Sequence, residues 1–250
     1  MKFVVCVKLT PDTEQLAEVQ PQDVGSADLG VTMVLNPWDE FAVEEALRLS
    51  ENFGGSGMAV TVGGVEATEA LKRAVAMGIE EAILLTDPAF EGSDPWGVAH
   101  ILAQAVRKIG DAALILTGRQ SVDGGSGLVA AGLAAELGIP FVSQVARIVD
   151  VTDESATVLR PLAVSKEINE PRYPNFMGIR KAARMQYPTI AAAQLPGLAR
   201  EKIGAGAALT AWSDLRKPPV RAGKCEFIGG ATVQEQAQAL VEKLIAEKVI

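Results

Sequence analysis

Gly118-Arg119-Gln120-Ser121-Val122-Asp123-Gly124-Gly125-Ser126-Gly127 follows the apolar run Ala112-Ala113-Leu114-Ile115-Leu116-Thr117 and leads into a stretch rich in Ala, Leu and Gly. Read as strand, turn and helix, this segment leaves backbone N–H groups unpaired at the positive end of a helix dipole, which makes a phosphate cradle. Gly124, Gly125 and Gly127 let the backbone approach a ligand and reach positive φ, while Ser121 and Ser126 offer hydroxyl donors. No Walker lysine follows, and the spacing fails the Gly-x-Gly-x-x-Gly pattern, so neither standard nucleotide signature applies.

Strands and helices alternate on the N-terminal side of this segment. The pattern predicts strands at residues 2–7, 57–62, 81–85 and 112–117, and helices at 38–52, 67–77, 95–109 and 125–137. Gly78 stands where a helix C′ glycine would. Such alternation implies an α/β fold, a doubly wound and mainly parallel sheet of Rossmann-like form joined by right-handed crossovers. These sheets bind ligands at the carboxyl ends of their strands, where the turns after Val7, Val62 and Thr117 converge.

After Pro140 the alternation loosens. Residues 142–149 and 156–162 read as strands, and residues 166–184 as a loop rich in Pro and charge. The doubly wound domain spans 1–195, and an arm without periodicity, 196–230, leads to a terminal helix. That helix opens on Thr232 and Glu235 in capping-box spacing and carries Ala237, Leu240, Val241, Leu244 and Ile245 on one face. Packing on its own domain and docking on a partner are both open to it.

The net charge of −8 in 250 residues argues against nucleic acid or an anionic membrane as the main partner. No apolar run reaches the ~18 residues that span a bilayer, and the chain starts on the strand-like Lys2-Phe3-Val4-Val5-Cys6-Val7 instead of a targeting sequence, so a cytoplasmic protein is expected. Cys6 and Cys225 lack metal-ligand spacing and read as free thiols. His100 is the single histidine, which disfavours both a metal site and a Ser/His/Asp triad and suggests an incidental residue on a helix face. No catalytic acid/base constellation stands out.

Asn36-Pro37-Trp38-Asp39-Glu40 supplies an N-cap asparagine and an N1 proline for a helix in which Glu44 and Glu45 follow. Together with the Gly118 to Gly124 segment and Asn169-Glu170-Pro171-Arg172-Tyr173, in this order, it makes nearly the whole chain resemble the beta subunit of electron transfer flavoproteins. The resemblance implies an electron-relaying subunit without acid/base catalytic residues of its own. It would form a heterodimer with an alpha subunit that carries the electron-transferring FAD, and would serve a dehydrogenase and an acceptor oxidoreductase, quinone-linked or other. It also implies an adenine nucleotide, AMP or a second FAD, in this subunit's sheet crevice. Carried onto this sequence, the nucleotide-binding positions are Cys6, Asn36, Pro37, Trp38, Asp39, Val62, Gln120, Ser121, Val122, Asp123, Gly124, Gly125, Ser126, Gly127, Leu128, Val129, Ala130 and Ala131.

The family's recognition loop corresponds to residues 169–184, with Glu170, Arg172, Tyr173 and Phe176 as partner-binding positions. Phe176 stands at the place of the apolar anchor, usually leucine, and Arg172 is expected to pair with a carboxylate of the alpha subunit or to stay solvated. The chain departs from the pattern in two places. Lys181-Ala182-Ala183-Arg184-Met185-Gln186 lacks most of the lysines common there, and the segment between Val149 and Asn169 reads as a trimmed hairpin. Gly125, Gly127 and Leu128 replace acidic or amide residues, while Pro11-Asp12-Thr13 and Asp87-Pro88-Ala89-Phe90-Glu91-Gly92-Ser93-Asp94 look more like the branch with two flavins. The alternative is a free-standing adenine-nucleotide-binding regulatory protein, which needs neither the Asn169 to Tyr173 motif nor the long arm. An adenylating enzyme would need more than the one lysine of Lys8-Leu9-Thr10-Pro11.

Overall fold

Phe3 and Val5 point into one helical layer and Val4 and Cys6 into another, so the first strand is apolar on both faces. Such a strand is stable only inside a covered, parallel sheet. The computed structural model describes residues 1–20, 22, 30–152, 154–159, 168–211, 216 and 228–246. They fall into two units, Met1–Leu215 and Arg216–Ile250.

In chain order the first unit contains β1 (Lys2–Cys6), β2 (Leu9–Pro11), β3 (Met33–Leu35), α1 (Pro37–Phe53), β4 (Ser56–Val62), α2 (Thr68–Met77), β5 (Glu81–Leu85) and α3 (Pro95–Ile109). It continues with β6 (Ala112–Thr117), α4 (Leu128–Leu137), β7 (Arg147–Val151), β8 (Ala156–Leu159), α5 (Phe176–Arg184) and β9 (Thr189–Ile190). The central sheet has the order β6-β1-β4-β5-β9, and every neighbouring pair in it is parallel. The expected α/β architecture is therefore present. α1 and α2 cover the face of Phe3, Val5, Ala59 and Leu84, and α3 and α4 cover the face of Val4, Cys6, Val60 and Leu85. From β1 the chain moves outward through β4 to β5, then returns to lay β6 on the other side of β1. The order of winding thus reverses between β1 and β6, and the turns after these two strands open a crevice at the carboxyl edge.

Three expectations are corrected. α4 starts at Leu128 and not at 125, because Gly125 and Gly127 hold φ of +64° and +62°, outside the right-handed helix. The strand expected over 142–149 forms only from Arg147, since Gln144 adopts φ +55° and interrupts the extended chain; β7 then pairs antiparallel with β8, so the hairpin is present. Residues 166–184 are not loop throughout. Asn175 caps α5 by accepting the Gly178 N–H at 2.7 Å, and of the nine helical residues only Ala182 is buried; the helix is short and follows directly on Pro171 and Pro174, which read as loop. Residues 160–162 of the second expected strand and residues 166 and 167 of the expected loop lie outside the described residues. β2, β3 and β9, of two or three residues each, escaped the sequence pattern.

The start of the arm belongs to the first unit for a polar reason. Leu195 and Ile203 are buried against α3 and β9, and three side chains at or near the start of α3 hold the arm's backbone. His100 Nε2 accepts the Ala199 N–H at 3.0 Å, while its Nδ1 lies 2.9 Å from Glu136 Oε2; this histidine is a buried clasp rather than an incidental residue. Ser93 Oγ accepts the Gly204 N–H at 2.7 Å. Asp94 caps α3 through the Trp96 and Gly97 N–H groups, both at 3.0 Å, and accepts from Leu209 at 2.7 Å and Thr210 at 3.1 Å. In the second unit α6 (Val233–Ala246) opens with the Glu235 N–H bonded to Thr232 Oγ1 at 3.2 Å, and Glu235 reaches back to the Ala231 N–H at 2.8 Å.

Burial alone would raise the Asp94 carboxyl, but the N–H groups of Gly97, Leu209, Thr210 and Trp96 hold it below its ordinary value. A depressed acid contributes stability that is present above its unfolded value and lost as pH falls through the folded one. Asp94→Ala should cost about 1–2 kcal/mol in urea denaturation at neutral pH, with the difference from wild type shrinking below about pH 4. Limited proteolysis should cut the variant faster near residue 209.

Candidate functional site

Asn36 occupies the N-cap of α1, yet its side chain makes no capping bond. Only 1% exposed, it crosses to the turn after β6, where Nδ2 donates to the Gln120 carbonyl at 2.9 Å and Oδ1 accepts the Val122 N–H at 3.2 Å. Pro37 at N1 costs the helix nothing, because that position has no N–H partner to lose. Asp39, at N3, also turns away from its own helix. Its Oδ2 accepts the Lys8 N–H from the turn after β1 at 2.8 Å, and the carboxylate takes the Gly118 N–H from the turn after β6. One helix terminus therefore ties together the two turns that flank the switch point.

The clamp leaves no room above Gly118: a Cβ there would stand 2.2 Å from Asp39 Oδ1 and 2.7 Å from the Trp38 carbonyl carbon. Burial pushes the Asp39 carboxyl up to about 7, against the lowering effect of Asn36 and of the Lys8 and Gly118 N–H groups. Cys6, beneath it at the end of β1, is a buried thiol pushed up to about 12 by burial and by the Asp39 charge. Such a thiol is inert as a nucleophile.

Across the crevice mouth Lys8 Nζ pairs with Asp123 at 2.6 Å. The Arg119 guanidinium lies 5.5 Å from the centre of the Trp38 ring. The loop between them is self-bonded: Gly125 N–H to the Ser121 carbonyl at 2.9 Å, and Gly124 N–H to Ser121 Oγ at 3.3 Å. α4 then begins on Gly127, which has no side chain to cap it. Among the described residues the side-chain acceptor at its first amide is Ser126 Oγ, a long 3.4 Å from Leu128 N. The N–H groups of Val129 and Ala130, with Ala131 in the same turn, have no side-chain cap and stand at the positive helix end.

Of the positions carried over from the family, Asn36 to Asp39 and Gln120 to Gly125 are bonded into one assembly, with Ser126 and Gly127 leading from it into α4. Cys6 lies below it, and Val62 reaches the same edge by register alone, at the end of β4. Lys8, Gly118 and Arg119 also belong to the crevice. The first of them could have been found as a cation just past an apolar strand, on the edge where ligands bind.

The segment 169–179 forms a second surface. Tyr173 and Phe176 are 89% and 73% exposed, with Met177 and Ile179 also exposed, so Phe176 does not fold into the core. Glu170 is exposed. Arg172 departs from expectation. Its side chain is engaged within the chain by Glu44 and Glu51 of α1, at 2.8 and 2.6 Å. Among the described residues no helix is long and apolar enough to cross a membrane, and no group of His, Cys, Asp or Glu is arranged to hold a metal ion.

Residues 25–200 match the family model for the electron transfer flavoprotein domain. The chain is 35% identical to the caffeyl-CoA reductase-Etf complex subunit CarD of Acetobacterium woodii, over the whole of both chains. It is 34% identical to the electron transfer flavoprotein subunit beta of Bacillus subtilis, again over both whole chains. Protein FixA of Bradyrhizobium diazoefficiens is 34% identical over 98% of this chain and 91% of the relative. This chain belongs to the electron transfer flavoprotein family. Within the family its role is that of the beta subunit, which implies an alpha-subunit partner and flavin in the complex.

Because Asp39 sits at about 7 when folded and near 3.9 when unfolded, the native chain binds the extra proton between these limits. Its contribution to stability is full at low pH, falls as pH rises through this window and levels off above it. The Asp39→Asn variant lacks that slope. Scanning calorimetry should therefore show the melting temperature of wild type minus that of the variant decreasing from about pH 5 to about pH 8.

Proposed function

We propose that this chain holds an adenine nucleotide between the β1 and β6 turns and, paired with a FAD-carrying alpha subunit, relays electrons from a dehydrogenase to an acceptor oxidoreductase. The observation that carries the reading is the uncapped N-terminus of α4 beside a turn braced by Asn36 and Asp39. Unpaired amides at a helix start fit a phosphate, and the brace keeps them in place before any ligand arrives. The residues present suit the group: Leu128, Val129 and Ala130 would hold phosphate oxygens by their N–H groups, and the Ser126 hydroxyl would donate a further bond. Lys8, paired with Asp123 at 2.6 Å, supplies an ammonium beside the loop.

Pro11-Asp12-Thr13 and the segment from Asp87 to Asp94 look more like the branch of the family with two flavins, and a Cβ at Gly125 would meet nothing within 4 Å, so that glycine faces open space. We read the occupant as a second FAD. When bound, FAD supplies hydride acceptance from NADH and one-electron transfer onward. Asp39 is committed to two backbone N–H groups and Cys6 is held as a thiol, so the chain's own part is to bind, orient and exclude water. The exposed Tyr173, Phe176 and Met177 form the surface on which the dehydrogenase docks, since a few apolar anchors carry most of an interface's energy.

The test is to purify the heterodimer, release its nucleotide by heat and identify it. Two FAD per heterodimer supports the reading, one FAD with one AMP reassigns the occupant, and no nucleotide in the beta subunit overturns it. Gly118→Ala should weaken nucleotide retention at least about tenfold, ~1.4 kcal/mol, in equilibrium dialysis, because the added carbon forces Asp39 and the Trp38 carbonyl carbon out of the clamp.

A further inference from the structure

Glu44 and Glu45 serve no purpose in the crevice. Both are 5% exposed, midway along α1, and a buried carboxylate is costly unless paired and hydrogen-bonded. Apart from Arg48 of α1 itself, 3.9 Å from Glu45 Oε2, their partners come from the residues that precede the exposed 173–179 surface. Glu44 accepts the Arg172 backbone N–H at 3.1 Å, its Nε at 2.8 Å and its Nη2 at 3.0 Å. Two turns on, Glu51 takes Nη1 and Nη2 at 2.6 and 3.2 Å, so one guanidinium is forked by two carboxylates.

Glu45 Oε2 accepts from Asn169 Nδ2 at 3.0 Å, and the same amide nitrogen donates to the Phe41 carbonyl at 3.0 Å. Turning that amide over would set its oxygen against two acceptors, so its orientation is fixed even though Oδ1 is buried without a partner. Arg48 adds a bond to the Ile168 carbonyl at 3.3 Å. Three turns of one rigid helix thus grip the backbone and side chains of residues 168–172. Immediately beyond, Tyr173, Phe176 and Met177 stand in solvent, between this gripped base and the far end of α5, which Ala182 and the close approach of Gly178 to the Ala76 carbonyl seat on α2.

We infer that Glu44 and Glu45 are positioning residues for protein docking: through Arg172 and Asn169 they fix the base of the exposed 173–179 surface, so that its apolar anchors meet the electron-donating dehydrogenase already ordered. Ordering the base beforehand removes an entropic cost from association and leaves the electron-transfer step untouched. The inference rests on the reading of that surface as the docking site. It also joins two motifs, Ala42-Val43-Glu44-Glu45-Ala46 and Asn169-Glu170-Pro171-Arg172-Tyr173, that are far apart in the chain but act as one device.

The experiment uses the intact heterodimer and, as donor, the dehydrogenase isolated from the source cells by its ability to reduce the heterodimer's flavin. Glu44→Gln should raise the KM for the reduced dehydrogenase about tenfold with kcat, bound nucleotide and flavin content unchanged, and should speed hydrogen exchange at residues 170–180. Because Glu44→Gln leaves Arg172 partly unpaired and could fold poorly, the double variant Glu44→Met, Arg172→Met removes both charges together and should show the same KM with near wild-type melting. Phe176→Ala is the control for the docking reading itself. If Phe176→Ala leaves KM unchanged, that reading falls and takes the inference with it. If Phe176→Ala raises KM while neither Glu44 variant does, or if the Glu44 variants lower kcat and melting temperature together, the inference alone is overturned.

Discussion

The Asp39 carboxylate holds the Lys8 N–H with one hand and the Gly118 N–H with the other, and the crevice depends on that contact. The two turns it joins leave strands that lie side by side but feed helices on opposite faces of the sheet. Nothing in the sheet's own hydrogen bonding holds such turns together, because their chains diverge there. A buried acceptor offered by a third element does. The cost is an acid pushed up to about 7, a strained protonation balance of the kind that collects at functional sites.

α1 is consequently more than a crossover. At ~1.5 Å per residue it is roughly 25 Å long, and its polar residues divide by position. Asn36 and Asp39 at the start brace the glycine-rich turn after β6 and the turn after β1, while Glu44, Glu45 and Glu51 further along hold the base of the exposed 173–179 surface. Its apolar residues, Ala42, Val43, Ala46 and Leu49 among them, are buried in the core. A helix so fixed joins the turns at the carboxyl edge of the sheet and the base of the 173–179 surface through one element.

Much of the architecture was legible in order along the chain. The strands of β1, β4, β5 and β6 are near-continuous apolar runs, and the helices between them carry regular apolar spacing, so local composition and tertiary burial agree. Legibility failed where burial is slight or the element short. α5 buries only Ala182, and β9 has two residues, recognisable only by their pairing with Leu84 and Leu85. In the crevice, the glycines and serines of the turn before α4 and the Asn36 to Asp39 run were visible as motifs. The part Asp39 plays was not, since an acid at N3 of a helix ordinarily reads as a cap.

The sequence by itself determined the alternation of strands and helices, the glycine- and serine-rich turn before α4 and the family to which the chain belongs, because these rest on contacts between near neighbours or on motifs whose order survives in one dimension. Only the tertiary structure decided that Asp39 faces two distant turns, that His100 pins the start of the arm and that Arg172 spends its charge on Glu44 and Glu51. Each of those partnerships spans thirty or more positions, and which of several carboxylates a guanidinium or an amide finds is set by how the layers pack, a quantity no local pattern encodes.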